Sequence, residues 1–117
     1  MPTQRAEGWG VRRDAMNDRI ITDELARQVM NWGVHADRYV KSGRSWIPRW
    51  RFQPLLDIAD AFQLLDRATE GYCLASDEHG TFTACVQVNG QTGDASGTSQ
   101  ARVIARAVAR AAGLRVD

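Results

Sequence analysis

Apolar residues recur with a helical period early in the chain, where Ile21 and Leu25 fall on one face of a helix. Thr22 is followed by two acids, a combination typical of the start of a helix. Gly33 can adopt the left-handed conformation in which helices commonly end. The pattern therefore predicts a first helix over residues 22–32.

Two further helices follow from patterns of the same kind. An apolar series after Pro54 predicts a helix over residues 55–68 that ends before Gly71. Small apolar residues predict a last helix over residues 99–113, with arginines on the side opposite its apolar stripe. These arginines form a candidate basic ridge on the last helix: Arg102, Arg106 and Arg110.

Between the second and third helices, apolar and polar residues alternate with the period of β-strands. The alternation predicts strands over 72–76 and 81–88, joined by a loop over 77–80. An Asn-Gly dipeptide at 89–90 is the preferred type I′ turn and leads into a weaker strand over 91–95. One face of this sheet is apolar, so we expect helices to cover it.

The element order helix, helix, strand, strand, strand, helix predicts an α+β fold, a helix–sheet–helix sandwich with a three-stranded antiparallel sheet. The length of 117 residues fits one domain. Residues 1–19 show neither period and are interpreted as a flexible N-terminal arm, which leaves residues 20–117 as a single domain.

Composition narrows the class of protein. Hydrophobic residues make up 44% and charged residues 25% of the chain, as in ordinary globular proteins. No apolar run approaches the roughly 20 residues that span a bilayer, and none resembles a secretory signal. We therefore expect a cytoplasmic protein that does not contact a membrane.

Positive charge is concentrated in residues 38–51, which contain no acid, although the net charge of the chain is only +1. Aromatic side chains are interspersed among these cations. Two interpretations stay open: the tryptophans belong to the core, or the segment is a contact surface. The candidate partner-binding residues of this segment are Arg38, Arg44, Trp46, Arg49, Trp50 and Arg51.

The basic ridge of the last helix also has two interpretations. It is a solvated helix face, or it neutralises a phosphate backbone together with the arginines of residues 38–51. The acidic second helix would repel nucleic acid, which favours the solvated face.

No sequence motif for catalysis or for metal binding is present. Cys73 and Cys85 lack the spacing of a zinc site, and we expect free thiols that pack as half-buried strand residues. Asp77, Glu78 and His79 belong to a predicted turn rather than to a catalytic group. We therefore expect a protein without catalytic residues, metal or cofactor, and not an enzyme.

Three stretches together resemble a known family. They are Thr22 to Trp32, Trp50 to Phe62 and Ala101 to Ala107, which resemble the phage ABA sandwich domain family over about residues 20–115. This chain has Val29-Met30-Asn31-Trp32 where members have Val-Met-Gly-Trp. The resemblance implies a sheet between helical layers and a phage or prophage origin, and it implies no activity.

These observations favour a small phage or prophage accessory protein that binds a host or phage protein. Interference with a host process such as immunity is one hypothesis for its role. The alternative is a nucleic-acid-binding module that uses the Arg/Trp-rich segment and the basic last helix. A third possibility is a homo-oligomer joined through an uncovered sheet face or a strand edge.

Overall fold

The computed structural model describes residues 18–114 and places three helices and two antiparallel three-stranded sheets in the order α1, β1–β3, α2, β4–β6, α3. Residues 18–24 of α1 are α-helical and continue into a π-helical turn, Leu25–Val29. The other elements are β1 Gly33–Val34, β2 Arg38–Ser42, β3 Ser45–Pro48, α2 Ile58–Ala68, β4 Gly71–Ser76, β5 Phe82–Val88, β6 Gln91–Gly97 and α3 Gln100–Ala111.

Helix α1 differs from its prediction at both ends. Thr22 lies inside the helix, where its hydroxyl donates to the Asp18 carbonyl (2.8 Å), so the predicted helix start at Thr22 is wrong. Asn31, with φ of 61°, takes the left-handed position predicted for Gly33. The amide of Trp32 then closes on the Ala26 carbonyl at 2.9 Å. The helix ends earlier because Asn also tolerates this conformation.

The apolar pattern does not predict the small sheet β1–β3, which the structure places between the first two helices. Its strands are short, and the turn at Gly43 (φ 53°) interrupts any alternation. An aromatic cluster anchors this sheet: the ring of Phe52 lies edge-on to Trp32 (4.9 Å between centroids) and to Tyr39 (5.8 Å). All three rings are buried, so they form part of the core.

Helix α2 begins at Ile58, later than the predicted residue 55. Asp57 is the N-cap, and its carboxylate accepts hydrogen bonds from the amides of Ala59 and Asp60. Asp is a strong N-cap residue, so the helix begins directly after Asp57. The preceding residues 54–56 therefore form a turn. The buried face of α2 is formed by Ala61, Leu64 and Leu65.

The main sheet, β4–β6, confirms the predicted three-stranded antiparallel hairpin arrangement. The turn between β5 and β6 has positive φ at Asn89 (50°) and Gly90 (79°), as the type I′ prediction requires. The α+β class is confirmed, whereas the predicted order is incomplete because the small sheet precedes α2.

Helix α3 packs against β5, β6 and α2 and is buried over most of its circumference. Its backbone lies directly against the sheet at Gly93. A Cβ atom on Gly93 would lie 2.4 Å from the Ala107 carbonyl oxygen and 2.4 Å from the Ala111 nitrogen. The small residues of α3 predict close packing, and here they allow the helix backbone to contact the sheet backbone directly.

The other face of the main sheet is exposed, and no helix within residues 18–114 covers it. The exposed side chains on this outer face are Cys73, Ala75, Thr83, Cys85, Gln87, Thr92, Asp94 and Ser96. The described helices therefore lie on one side of this sheet, unlike the two helical layers that the family resemblance implies. No helix in this part of the chain has the length and apolarity to cross a membrane.

Candidate partner-binding surface

Two tryptophans from the Arg/Trp-rich segment point into solvent. Trp46 is 52% exposed and Trp50 is 67% exposed, and the nearby Leu56 is 75% exposed. The interpretation of these tryptophans as core residues is therefore wrong, although it holds for Trp32 and for Phe52. We use the name tryptophan surface for two groups of exposed residues: Trp46 with Arg38 on the small sheet, and Trp50 with Arg51 and Leu56 at the turn after it.

Strand pairing places Trp46 on the outside of the small sheet. Tyr39 pairs with Ile47 on the face that contacts the core, so the adjacent pair, Val40 and Trp46, lies on the opposite face. The guanidinium of Arg38 lies over the Trp46 ring at 4.8 Å from its centroid. This cation–π contact fixes an exposed indole and an arginine side by side.

Arg38 also donates two hydrogen bonds to the carboxylate of its neighbour Asp37, at 3.1 and 3.0 Å. These bonds lower the pKa of Asp37 and raise that of Arg38. The pair is solvent-exposed, so it contributes little to stability. Its main effect is to orient the Arg38 side chain over Trp46.

Trp50 lies in the 3₁₀-helical turn Arg49–Arg51, which follows β3. The guanidinium of Arg51 lies 5.7 Å from the Trp50 ring centroid. Trp50 and Leu56 border a cavity of about 260 Å³ whose floor includes Tyr39 and Phe52. An apolar recess beside an exposed indole is the kind of feature that accepts a side chain from a partner.

Arg49 is mostly buried and also lines the cavity beside Trp50, and its role as a partner-binding residue stays a prediction. Its guanidinium binds the Asp23 carboxylate and the His35 carbonyl, and it lies over the Tyr39 ring. The Tyr39 hydroxyl donates to the same Asp23 carboxylate at 2.8 Å. Arg49 therefore ties the turn that carries Trp50 to α1.

The pKa values of this network respond to its burial and hydrogen bonds. Burial raises the pKa of the Tyr39 hydroxyl, and its hydrogen bond to Asp23 raises it further. The hydrogen bond to Asp23 also raises the pKa of Arg49, so this guanidinium stays charged. The sequence gives no periodic signal for these contacts because their partners lie far apart in the chain.

Several cations of the segment have no carboxylate partner. No acid within residues 18–114 forms an ion pair with Lys41, Arg44 or Arg51. Arg44 is exposed in the turn between β2 and β3, as its prediction as a surface residue requires. Lys41 and Arg44 therefore leave positive charge uncompensated, whereas Arg51 lies near Asp57 and Asp60.

The predicted basic ridge on α3 is not a free row of cations. Arg102 forms a two-pronged ion pair with Asp18 of α1, with N–O distances of 2.8 to 3.0 Å. Arg110 donates to the Asp94 carbonyl at 2.6 Å, and Arg106 is partly buried. These contacts arise because α3 lies inside the molecule, where its arginines meet α1 and β6.

The residues that the sequence analysis weighed as catalytic or metal-binding are exposed, and their observed contacts are structural. Cys73 and Cys85 lie opposite each other on β4 and β5, and both are exposed rather than half-buried as predicted. The Asp77 carboxylate accepts from the amides of His79 and Thr81 (2.9 Å each) and so shapes the hairpin loop. Within residues 18–114, no cluster of three or more His, Cys, Asp or Glu side chains is arranged to hold a metal ion.

The fold is similar to that of a phage protein from Bacillus cereus ATCC 14579, known from a 2.0 Å crystal structure. The TM-score is 0.69, with 15% sequence identity over 86% of this chain and 91% of that chain. No protein-family model and no curated protein matches the sequence. The comparison therefore establishes a shared fold, and the phage ABA sandwich domain family stays a prediction.

Proposed function

We propose that this chain is a non-enzymatic phage or prophage accessory protein that binds a host or phage protein through the tryptophan surface. It acts in the bacterial cytoplasm, and interference with a host process is the role that we favour. The exposure of Trp46 and Trp50 carries the proposal. Two indoles left in solvent and flanked by arginines have the composition of an interaction hot spot.

The rigidity of the surface supports this function. The Arg49 network holds the turn that carries Trp50, and the β2–β3 pairing holds Trp46. A backbone that is already held in place before binding loses less conformational entropy when a partner covers it. The cations Lys41 and Arg44, which have no carboxylate partner among the described residues, favour a partner with an acidic rim around an apolar centre.

Charge distribution favours a protein partner over nucleic acid. Asp57 and Asp60 line a recess that also contains Trp50 and Arg51, so carboxylates lie close to the indole. Burial raises the pKa of Asp60, whose carboxylate accepts a hydrogen bond from the Gln53 amide at 2.9 Å. The ion pair with Asp18 offsets the charge of Arg102 on α3. Within residues 18–114, these carboxylates interrupt the positive charge along which a phosphate backbone would bind.

Capture from bacterial lysate with matched variants tests this proposal. Wild-type protein and the variant with Trp46→Ala and Trp50→Ala are immobilised in parallel, and retained proteins are quantified by mass spectrometry. Both indoles are exposed, so the double variant keeps its core and its circular dichroism spectrum. We expect a specific protein that the wild type retains and the double variant loses, because truncating a hot spot costs about 2 kcal/mol or more.

The control is Thr83→Ala, which removes an exposed side chain from the outer face of the main sheet, away from the tryptophan surface. It should retain the same protein as the wild type, also after nuclease treatment. Equal retention by the wild type and the double tryptophan variant would refute the proposed surface. Retention that nuclease abolishes and that falls steeply with salt would identify a nucleic-acid binder instead.

A further inference from the structure

Strand β4 is an open edge of the main sheet. The strand order is β4-β5-β6, so β4 pairs with β5 on one side only, and no strand within residues 18–114 pairs with its other side. Helix α3 packs against β5 and β6, and β4 extends beyond it. Tyr72 and Val86 share the helix-facing side, yet Val86 is 1% exposed and Tyr72 is 50% exposed.

The hydrogen-bond alternation shows which backbone groups of β4 point outward. The backbone amide of Asp77 donates to the Thr81 carbonyl. Continuing the β4–β5 register, Asp77 and Thr81 are therefore a hydrogen-bonded pair. Every second residue before it, at positions 75, 73 and 71, is then also bonded to β5. The amide and carbonyl groups of Tyr72, Leu74 and Ser76 consequently face away from the sheet.

Among the residues that the structure describes, none gives this open edge the usual protection against pairing. Exposed edge strands are normally protected by charged side chains, by proline or by a covering element. The β4 sequence is Gly-Tyr-Cys-Leu-Ala-Ser, with no charge and no proline, and only Leu74 is partly buried. The other edge, β6, contains Asp94 and is covered by α3 on one face.

We propose that β4 pairs antiparallel with β4 of a second copy of this chain, around a two-fold axis at Cys73. A two-fold axis places a surface against itself, so a neutral, self-complementary strand fits a second copy without charge repulsion. The two sheets then form one continuous sheet of six strands. The backbone amide and carbonyl of Tyr72 then form hydrogen bonds with those of Leu74 in the second copy. By symmetry, Leu74 bonds in the same way to Tyr72 of the second copy.

The charges at the two ends of β4 favour this register over the one centred on Leu74. Pairing centred on Leu74 would also join outward-facing residues, but it would bring Glu70 opposite Glu78 of the second copy. With Cys73 at the centre, Glu70 lies opposite Ser76 of the second copy, which avoids the repulsion. The two Cys73 residues then face each other in a non-hydrogen-bonded pair, where side chains are closest.

Oxidative cross-linking tests this arrangement. Diamide takes up two electrons and two protons from a pair of thiols, which leaves a disulfide and the corresponding hydrazine. Cys85→Ser retains only the edge thiol, and Cys73→Ser retains only the thiol of the central strand; both thiols are exposed. We expect Cys85→Ser to convert to a disulfide-linked dimer and Cys73→Ser to stay monomeric. Equal cross-linking of both variants, or of neither, would overturn the pairing.

Sedimentation velocity under reducing conditions provides a second readout. A paired edge buries less area than a standard interface, so the wild type should shift from monomer to dimer as its concentration rises. Tyr72→Lys should abolish this shift, because it places a charge beside the two-fold axis. Thr92→Lys, the matched change on the exposed β6 edge, should leave the shift intact. A wild type that stays monomeric at every concentration, or identical behaviour of the two lysine variants, would contradict the proposal.

Discussion

Asp23 is the residue on which the geometry of the tryptophan surface depends. Its carboxylate accepts from the Tyr39 hydroxyl and from Arg49, so one acid links α1, β2 and the turn that carries Trp50. Nothing in the sequence indicates this role, since the apolar pattern places Asp23 as an ordinary acid in the first turn of the predicted helix. The aromatic content of the segment is visible in the sequence, but which rings turn inward depends on strand pairing that the pattern does not predict.

The alkaline pH dependence of stability tests the Tyr39 environment. The raised pKa keeps Tyr39 protonated in the folded state, whereas an unfolded chain releases this proton near pH 10.0. The folded state then binds more protons, so stability falls as pH rises above this value. Tyr39→Phe should lower stability at pH 7 by about 1 to 3 kcal/mol, through loss of the hydrogen bond to Asp23.

The same variant lacks the ionisable group, so its deficit relative to the wild type should narrow above about pH 10. Urea denaturation of both proteins across pH 7 to about 11 measures this difference. A deficit that is constant over the whole range would show that Tyr39 titrates alike in the folded and unfolded chain.

At the scale of elements, the main sheet was predictable because its strands alternate cleanly and its turns carry strong local signals. The small sheet was not, since β1 has two residues and a bulge interrupts β2. The residue range of helix α3 was predictable from the sequence. Its burial on nearly all sides was not, because its arginines form an apparent polar face. On that face, Arg102 forms an ion pair with Asp18, and Arg110 donates a hydrogen bond to β6.

The close approach of α3 to the sheet makes a specific prediction about Gly93. Gly93→Ala should destabilise the fold by about 1 to 3 kcal/mol, because the added methyl group meets helix backbone rather than a movable side chain. Gly71→Ala is the matched control: it lies on β4 with open space around the added atom, and its effect should be small. Thermal unfolding of both variants measures the difference, and equal melting temperatures would contradict the helix–sheet contact.

At the scale of the whole molecule, two features face outward in different places. The tryptophan surface belongs to the small sheet and the turn after it, whereas the open β4 edge belongs to the main sheet. The sequence predicts the tryptophan surface only as one of two alternatives. An open strand edge follows from strand order, which the pattern of apolar residues does not specify.

Site-specific photo-crosslinking in a bacterial host is the most direct measurement of what contacts the tryptophan surface. With benzoylphenylalanine in place of Trp50, we predict a discrete adduct that protease degrades and nuclease leaves intact. The same group in place of Thr83, which is exposed on the outer face of the main sheet, should give no such adduct. An adduct that nuclease removes, or equal adducts from both positions, would contradict protein binding through the tryptophan surface.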